Sequence, residues 1–439
     1  MQYVTINAAG RYLVLERGSA PVSLLQVSDF EYLGAFRLPV ETGSTKFGFR
    51  GGAIAYDPND GGMFVASGSQ AGTDAAYSRV CKVSIPALSL SSTIASLNRA
   101  TITIESQNVI TGLTYSPAYG GNENDSGAPW SMHVFGSKLI FTANQFYPST
   151  DLLLSHGRCD LDLTNAEGMY RPNTGVDARR HNMGMCEIPA AFQADFGDHT
   201  AMATRGGGSI ITRSSDGPAV MTFNSADVSA TPFAATLRQF YTSGQLDATA
   251  GTKAVGNPTL KWARSNFYRG GAMIFHNQGG KYGIAMVGIR AESAHWYGYG
   301  HYDNWRNDVG TTFPAEENIP ALKTGQSHYA TFGNAAGWPS ADDEDRYFVD
   351  GKGDGSSKGE HGADYYTGIY FYDPADVLAT TTAQPYAVER LTNPFNTVGD
   401  KDTYAGDYCP SNGRLYLPIE GDTNGAERVP LILVYQLPV

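Results

Sequence analysis

The stretch that decides the fold is Gly368-Ile-Tyr-Phe-Tyr-Asp-Pro-Ala-Asp-Val377, a β-rich strand that runs directly into a proline turn. Similar strand exits recur from one end of the 439-residue chain to the other. They lie at residues 79–88, 183–192, 219–228 and 431–438, and residues 282–289 form a weaker sixth example. One supersecondary unit that recurs along a chain indicates a repeat architecture.

A second recurring unit supports the first. Apolar alternation, a turn containing Gly with Asn, Asp or Ser, and further apolar alternation together form the signature of a β-hairpin. This pattern occurs at residues 52–66, 132–142, 272–286 and 406–417. A hairpin followed by a further strand makes a meander, which is the unit from which the blades of a propeller are built.

Composition favours the same fold. The chain has 51 Gly, 26 Tyr and 20 Phe, and only 17% of its residues are charged. Turn formers and aromatic residues in excess suit many short strands joined by tight loops. We therefore predict an all-β fold, a β-propeller of about five to seven blades with long inter-strand loops. A pair of β-sandwich domains is the alternative, but it leaves the repeated strand exits unexplained.

The two ends of the chain predict how the ring closes. Residues 30–38 and 429–437 both have strand character, and pairing them in one blade would hide two sheet edges. Residues 1–28 then form an N-terminal arm, with two strands around residues 7–10, and residues 29–439 form the propeller. A large loop insertion is expected at about residues 291–367, because that stretch lacks strong periodicity.

The insertion contains an aromatic cluster, His295-Trp-Tyr-Gly-Tyr-Gly-His-Tyr-Asp-Asn-Trp305. Aromatic rings stack on the apolar faces of sugars and also anchor protein interfaces. Packing of the loop against the propeller is the structural alternative. The candidate binding residues are Trp296, Tyr297, Tyr299, His301, Tyr302 and Trp305.

An acidic, glycine-rich stretch follows at residues 342–360. Ca²⁺ requires six to eight converging oxygen ligands, and loops rich in Asp and Gly provide them. Asp350, Asp354 and Glu360 are the candidate ligands, although Lys352 stands where a carboxylate is wanted. A solvated polar loop is the alternative, and the sequence predicts no other cofactor.

The search for catalytic motifs gives no positive result. The sequence has no Gly-x-Ser-x-Gly elbow, no His-Glu-x-x-His motif and no Walker loop. A glycosidase needs two carboxylates across a cleft, and Asp57, Asp407 and Glu420 are candidates. Asp57 and Asp373 both follow a Tyr and precede a Pro, where Asp commonly caps a turn. We expect a structural role for these two, and the sequence predicts no catalytic residue.

Charge and cysteine content restrict the partners. A net charge of −12 argues against nucleic acid, because phosphate binding needs clustered Lys and Arg. The N-terminus lacks the features of a signal peptide, and no apolar run is long enough to cross a bilayer. The four cysteines have no metal-ligand spacing and are predicted to be free thiols in the core.

The strand exit at residues 370–377 resembles the outer-strand endings of β-propellers. Residues 32–39 together with 51–58 resemble the first blade of β-propeller proteins found in bacteria and tailed-bacteriophage virions. The resemblance implies the fold alone. A chain without an export signal but suited to exposure outside a cell fits a virion protein, which is made in the host cytoplasm. We therefore predict a structural or host-contacting component of a phage tail or tail fibre. Its partners would be other virion proteins or further copies of itself, together with a host surface glycan.

Two alternatives remain open at this point. The first is a polysaccharide-degrading or glycan-binding β-propeller enzyme. The second is an intracellular propeller that binds a protein partner.

Overall fold

The structure is a computed structural model. It describes residues 4–6, 12–14, 23–41, 45–47, 52–67, 79–110, 129–143, 154–176, 181, 184–204, 219–240, 271–291, 295–299, 358–362, 365–395, 405–424 and 427–439. Three strands precede the first sheet of the ring: β1 (Val4–Ile6), β2 (Tyr12–Val14) and β3 (Ser23–Leu24). The first two pair as an antiparallel hairpin, as the sequence predicts for the N-terminal segment.

Five sheets, each with four antiparallel strands, form the ring, and β3 adds a parallel strand to one of them. Blade 1 contains β4 (Glu31–Arg37), β23 (Asp407–Cys409), β24 (Arg414–Asn424) and β25 (Glu427–Gln436). Blade 2 contains β5 (Ile54–Tyr56), β6 (Met63–Ser67), β7 (Arg79–Ser84) and β8 (Thr101–Asn108). Blade 3 contains β9 (Pro129–Phe135), β10 (Lys138–Ala143), β11 (His156–Asp160) and β12 (Glu167–Tyr170).

Blades 4 and 5 complete the ring. Blade 4 contains β13 (Gly184–Glu187), β14 (Ala201–Thr204), β15 (Ala219–Phe223) and β16 (Ala235–Phe240). Blade 5 contains β17 (Gly271–Gln278), β18 (Lys281–Ala291), β21 (Tyr365–Tyr372) and β22 (Ala387–Arg390). Between β18 and β21 lies a separate hairpin of β19 (His295–Tyr299) and β20 (Lys358–Gly362). Two short helices, α1 (Ala190–Gln193) and α2 (Pro374–Ala379), follow β13 and β21.

The first strand of each blade lies at the centre of the ring. Strand β5 contacts β9, β9 contacts β13, β13 contacts β17, β17 contacts β23, and β23 contacts β5. All four hairpins predicted from the sequence form, and each is the innermost pair of its blade. The chain is therefore a five-bladed β-propeller, which confirms the predicted fold.

Small residues allow the innermost strands to approach one another closely. Gly406 donates a backbone hydrogen bond to Gly271 at 3.1 Å, and Ile54 donates one to Ala405 at 3.1 Å. A Cβ atom on Gly406 would lie 2.6 Å from the carbonyl oxygen of Tyr416. Only glycine fits at that position, because the contact is with backbone and cannot move aside.

Ring closure follows the prediction. Strand β4 pairs with β25 antiparallel, with Leu431 opposite Arg37 and Gln436 opposite Glu31. Both ends of the chain thus build blade 1, and the buried rings of Phe36 and Tyr435 pack on either side of it. Closure removes the free edges that open sheets leave for aggregation.

The number of blades cannot be obtained by counting the recurring strand exits. The exits at residues 183–192 and 219–228 both belong to blade 4, those at 282–289 and 368–377 both belong to blade 5, and blade 3 has none. Most of these strands are third in their blade and not outermost. A strand followed by proline is a local signal, so it does not report which place the strand takes in a blade.

A short segment before β4 ties blade 5 to blade 1. Strand β3 pairs in parallel with residues Lys281 and Tyr282 at the start of β18. Leu25 is fully buried, and its carbonyl oxygen accepts a hydrogen bond from the hydroxyl of Tyr386 in blade 5. The ammonium of Lys281 lies 3.1 Å from the carboxylate of Asp29.

None of the described helices combines the length and apolar character needed to span a bilayer.

Candidate functional site

Strand β18 defines two opposite ends of the ring. We name the C-face as the end where the innermost strands finish, and β18 begins there at Lys281, next to β3. We name the N-face as the end where the innermost strands start, and β18 reaches it at Ala291, just before the hairpin of β19 and β20. Strand β18 has eleven residues, and at about 3.3 Å for each residue its end beside β3 and its end before the hairpin lie roughly 30 Å apart.

The hairpin of β19 and β20 brings the two clusters found in the sequence together. Tyr297 is opposite Glu360 in the ladder, and Trp296 is opposite His361. Residues 295–299 of the aromatic stretch and residues 358–360 of the acidic stretch are therefore adjacent in space, although about 60 residues separate them in the chain. Cross-strand partners of this kind lie about 5 Å apart at Cβ.

Five of the predicted site residues lie outside the described part of the chain. Among the candidate binding residues, Trp296, Tyr297 and Tyr299 are on β19, whereas His301, Tyr302 and Trp305 fall beyond it. Among the candidate calcium ligands, Glu360 is on β20, and Asp350 and Asp354 precede the described residues. Within the described ranges, no group of three or more His, Cys, Asp or Glu residues could hold a metal ion.

A polar cluster occupies the axis of the ring. The Nδ1 atom of His133 on β9 lies 2.5 Å from a carboxylate oxygen of Asp407 on β23. The other oxygen of Asp407 accepts a hydrogen bond of 2.7 Å from the backbone of Tyr56 on β5. His133 is 3% exposed and Asp407 is 1% exposed, so water has almost no access to the pair. The pair joins blades 1, 2 and 3 where their innermost strands meet.

The charge of His133 is set by this environment. Burial lowers the pKa of His133, but the carboxylate of Asp407, with a smaller contribution from Glu187 on β13, outweighs burial and raises it above its ordinary value. The imidazolium form is therefore favoured up to a higher pH than in an exposed histidine. Its Nε2 atom has no hydrogen-bond partner among the described residues.

A second axial pair links blades 5 and 1. The Nδ1 atom of His276 on β17 lies 2.7 Å from the hydroxyl of Tyr408 on β23, and both side chains are fully buried. Burial lowers the pKa of this histidine, so it stays neutral at neutral pH. The same strand of blade 1 thus contacts a charged histidine on one side and a neutral histidine on the other.

Two of the aspartates singled out in the sequence, Asp57 and Asp373, have structural roles. Asp57 accepts hydrogen bonds from the backbone and side chain of Asn59, and it pairs with the ammonium of Lys82 at 2.6 Å. Asp373 caps α2 by accepting from the backbone of Ala375 at 2.9 Å. Both act as the predicted turn caps. The side chain of Glu420 is outside the described part of the chain.

The four cysteines are free and buried, as the sequence predicts. Burial raises the pKa of the Cys81 and Cys159 thiols to about 12, so both are protonated and unreactive at neutral pH. They act as small apolar core residues.

Sequence reasoning missed His133 and Glu187. The available signal was the single imidazole in the strand sequence Ser-Met-His-Val-Phe and the single carboxylate in Met-Cys-Glu. A polar residue that interrupts an innermost strand must be satisfied near the axis, because burial without a partner is costly.

No family model matches the chain, and no curated protein matches it in sequence. Among solved structures, it is similar to an exo-1,5-α-L-arabinanase from a bovine ruminal metagenomic library, with a TM-score of 0.37, 9% identity, and coverage of 89% of this chain and 93% of the other. A putative glycosidase from Bacteroides thetaiotaomicron VPI-5482 gives a TM-score of 0.37, 11% identity and coverage of 94% and 98%. A protein of unknown function from Dyadobacter fermentans DSM 18053 gives 0.32, 9%, and 93% and 99%.

Proposed function

We propose that the protein binds polysaccharide at the N-face of the propeller, through the hairpin of β19 and β20 and the aromatic stretch that continues from it. The observation that carries this proposal is the register of the hairpin, which sets Trp296 and Tyr297 against His361 and Glu360. Aromatic faces take the C–H surface of a sugar ring, and adjacent polar groups bond its hydroxyls. A carbohydrate chain needs both.

Binding is favoured over hydrolysis by the state of two of the candidate carboxylates, Asp57 and Asp407. Asp57 and Asp407 are each about 1% exposed, and each is already bonded to a basic side chain and to a backbone amide. A nucleophile or general base has to reach its substrate, and these two carboxylates cannot. They stabilise the ring instead.

The expected result is retardation of the protein in native gels that contain a purified bacterial capsular polysaccharide, tested across a panel of capsule types. Replacing Trp296 and Tyr297 together with Ala should weaken that binding by a factor of about 10, because consecutive strand residues alternate between the two faces, so one of the two rings stacks on the sugar and contributes roughly 1 kcal/mol or more. The matched control replaces Val40 and Leu90 with Ala, because these side chains are 63% and 70% exposed and lie outside the hairpin.

Two outcomes would contradict the proposal. One is that no polysaccharide in the panel retards the wild-type protein. The other is that the hairpin variant and the control variant bind equally well. Reducing ends should not increase during incubation with the bound polysaccharide, and an increase would show hydrolysis by a group other than Asp57 and Asp407.

We further propose that this binding serves a tailed-phage particle, as the sequence predicts. The position of the N-terminal segment supports it. Residues 23–24 attach at the C-face end of β18, so an arm that continues from them starts at the end of β18 opposite to the hairpin. An arm held by neighbouring virion proteins would therefore leave the N-face free to meet host glycan.

This second proposal has its own test. Mass spectrometry of purified particles should detect the chain, and removal of residues 1–22 should abolish its incorporation while leaving polysaccharide binding intact. Particles that lack the full-length chain would overturn the proposal without affecting the binding proposal.

A further inference from the structure

Two histidines are completely buried at the junction between blades 3 and 4. His156 starts β11, and His181 lies in the connection from β12 of blade 3 to β13 of blade 4. Both are 0% exposed. Neither takes part in the axial cluster or in the hairpin on the N-face.

Each imidazole is oriented by a neighbouring hydroxyl. The Oγ atom of Ser155 lies 2.7 Å from Nδ1 of His156, and the Oγ1 atom of Thr174 lies 3.0 Å from Nε2 of His181. Hydroxyl groups can donate to a neutral imidazole, but they do not compensate a positive charge as a carboxylate does. The Nε2 atom of His156 has no partner among the described residues.

The side of His156 that faces blade 4 is apolar. Its ring packs edge-on against Phe233 at 5.4 Å and Phe223 at 6.1 Å between ring centroids. Main-chain bonds hold the same junction, because Phe233 donates to the carbonyl of Arg171 at 2.9 Å and Asn173 donates to that of Phe233 at 3.0 Å. A charge on His156 would therefore be buried in the interface between two blades.

The charged and titratable neighbours do not compensate such a charge. From β12, Tyr170 stands opposite His156 in register, and its hydroxyl donates to Glu167 at 3.2 Å. That glutamate already pairs with Arg158 of β11 at 3.0 Å. From the connection, the neighbour is His181, which would carry a like charge. The carboxylate of Glu167 is thus already engaged, and the other neighbours of His156 named here among the described residues are neutral or basic.

We propose that His156 is an acid-sensitive contact between blades 3 and 4, and that this junction opens when its imidazole takes up a proton. Opening exposes the ring to water, where it binds a proton with ordinary affinity. Acid therefore shifts the population from the closed junction to the open one.

The direction and size of the effect follow from linkage. Burial, with the proximity of His181 as a second cause, lowers the pKa of His156 to about 3, whereas an exposed histidine titrates near 6.5. The closed state thus binds fewer protons than the open state between these values. Below about pH 6, the open fraction should rise roughly tenfold for each pH unit per proton taken up.

Amide hydrogen exchange read by mass spectrometry tests this directly on the full chain at pH 7.0 and pH 5.0, after correction for the intrinsic rate. We expect peptides from residues 154–176 and 219–240 to lose protection about tenfold or more at pH 5.0. Peptides from blade 2, such as residues 79–110, should keep theirs. The variants His156→Leu and His156→Gln cannot take up the proton, so either of them should reduce the pH response at this junction. The matched control is His199→Gln, which alters a half-buried histidine of blade 4 bonded to Thr222.

Equal protection of residues 154–176 at the two pH values in the wild-type chain would overturn the proposal. A loss of protection that persists unchanged in a folded His156 variant would overturn it as well. Two His156 variants are included so that at least one with a native circular dichroism spectrum at pH 7.0 is available.

Discussion

The variant Asp407→Asn is expected to lower the free energy of unfolding by about 3 kcal/mol at pH 6, because it leaves a buried imidazolium without its counter-ion. His133 and Asp407 are 2.5 Å apart and almost inaccessible to water, so solvent cannot replace the lost partner. The asparagine side chain still has an oxygen that can accept the hydrogen bond from the backbone amide of Tyr56. The variant therefore tests the loss of the negative charge. Urea unfolding followed by tryptophan fluorescence measures the change.

The same pair predicts a pH dependence with a definite sign. The pKa of His133 is raised in the folded state, so its contribution to stability is fully present below pH 6.5 and is lost as pH rises through the folded value. The difference in unfolding free energy between wild type and Asp407→Asn should therefore shrink between pH 6 and pH 9. The control is Asp160→Asn, which removes a half-buried surface carboxylate paired with Lys138 and should change stability little at either pH. A difference that is constant across this range would contradict a charged His133.

The second large effect is expected from Phe36→Ala in the strand that closes the ring. Phe36 is fully buried between blades 1 and 2, and its loss should cost about 3–5 kcal/mol through lost burial and the cavity left behind. The variant weakens closure itself, because among the described strands of the N-terminal half β4 alone belongs to the sheet of blade 1.

Val40→Ala provides the matched control for this prediction. Val40 lies four residues further along the chain and is 63% exposed, so its truncation should be nearly neutral. Thermal unfolding of the two variants in parallel would decide the point. Equal midpoints for Phe36→Ala and Val40→Ala would show that the ring does not depend on the packing of β4.

The hairpins were predictable from sequence because their determinants are local. The turn at Gly136 between β9 and β10, and the Gly279–Gly280 turn between β17 and β18, place glycines where the backbone has positive φ angles of 61°, 56° and 73°. A short pattern of apolar alternation around such glycines is sufficient to specify two paired strands. The closing pair of β4 and β25 was also predictable, because both strands are strongly apolar and lie near the two ends of the chain.

The axial cluster was not predictable, because its members are far apart in the chain. His133 and Asp407 are 274 residues apart, and neither sits in a motif. The same holds for the pairing of Tyr297 with Glu360, which sequence reasoning treated as two separate clusters. Contacts of this kind depend on which strands become neighbours, and that is decided by the packing of whole blades.

The sequence by itself determined that the chain folds into repeated antiparallel units with its two ends in one blade, since hairpin turns and strand periodicity depend on residues close together in the chain. Tertiary structure alone decided that there are five blades, that buried histidines have opposite protonation preferences, and that β3 and the hairpin of β19 and β20 lie at opposite ends of β18. The physical reason is that burial and neighbouring charge, which fix these properties, exist only after distant strands have packed together.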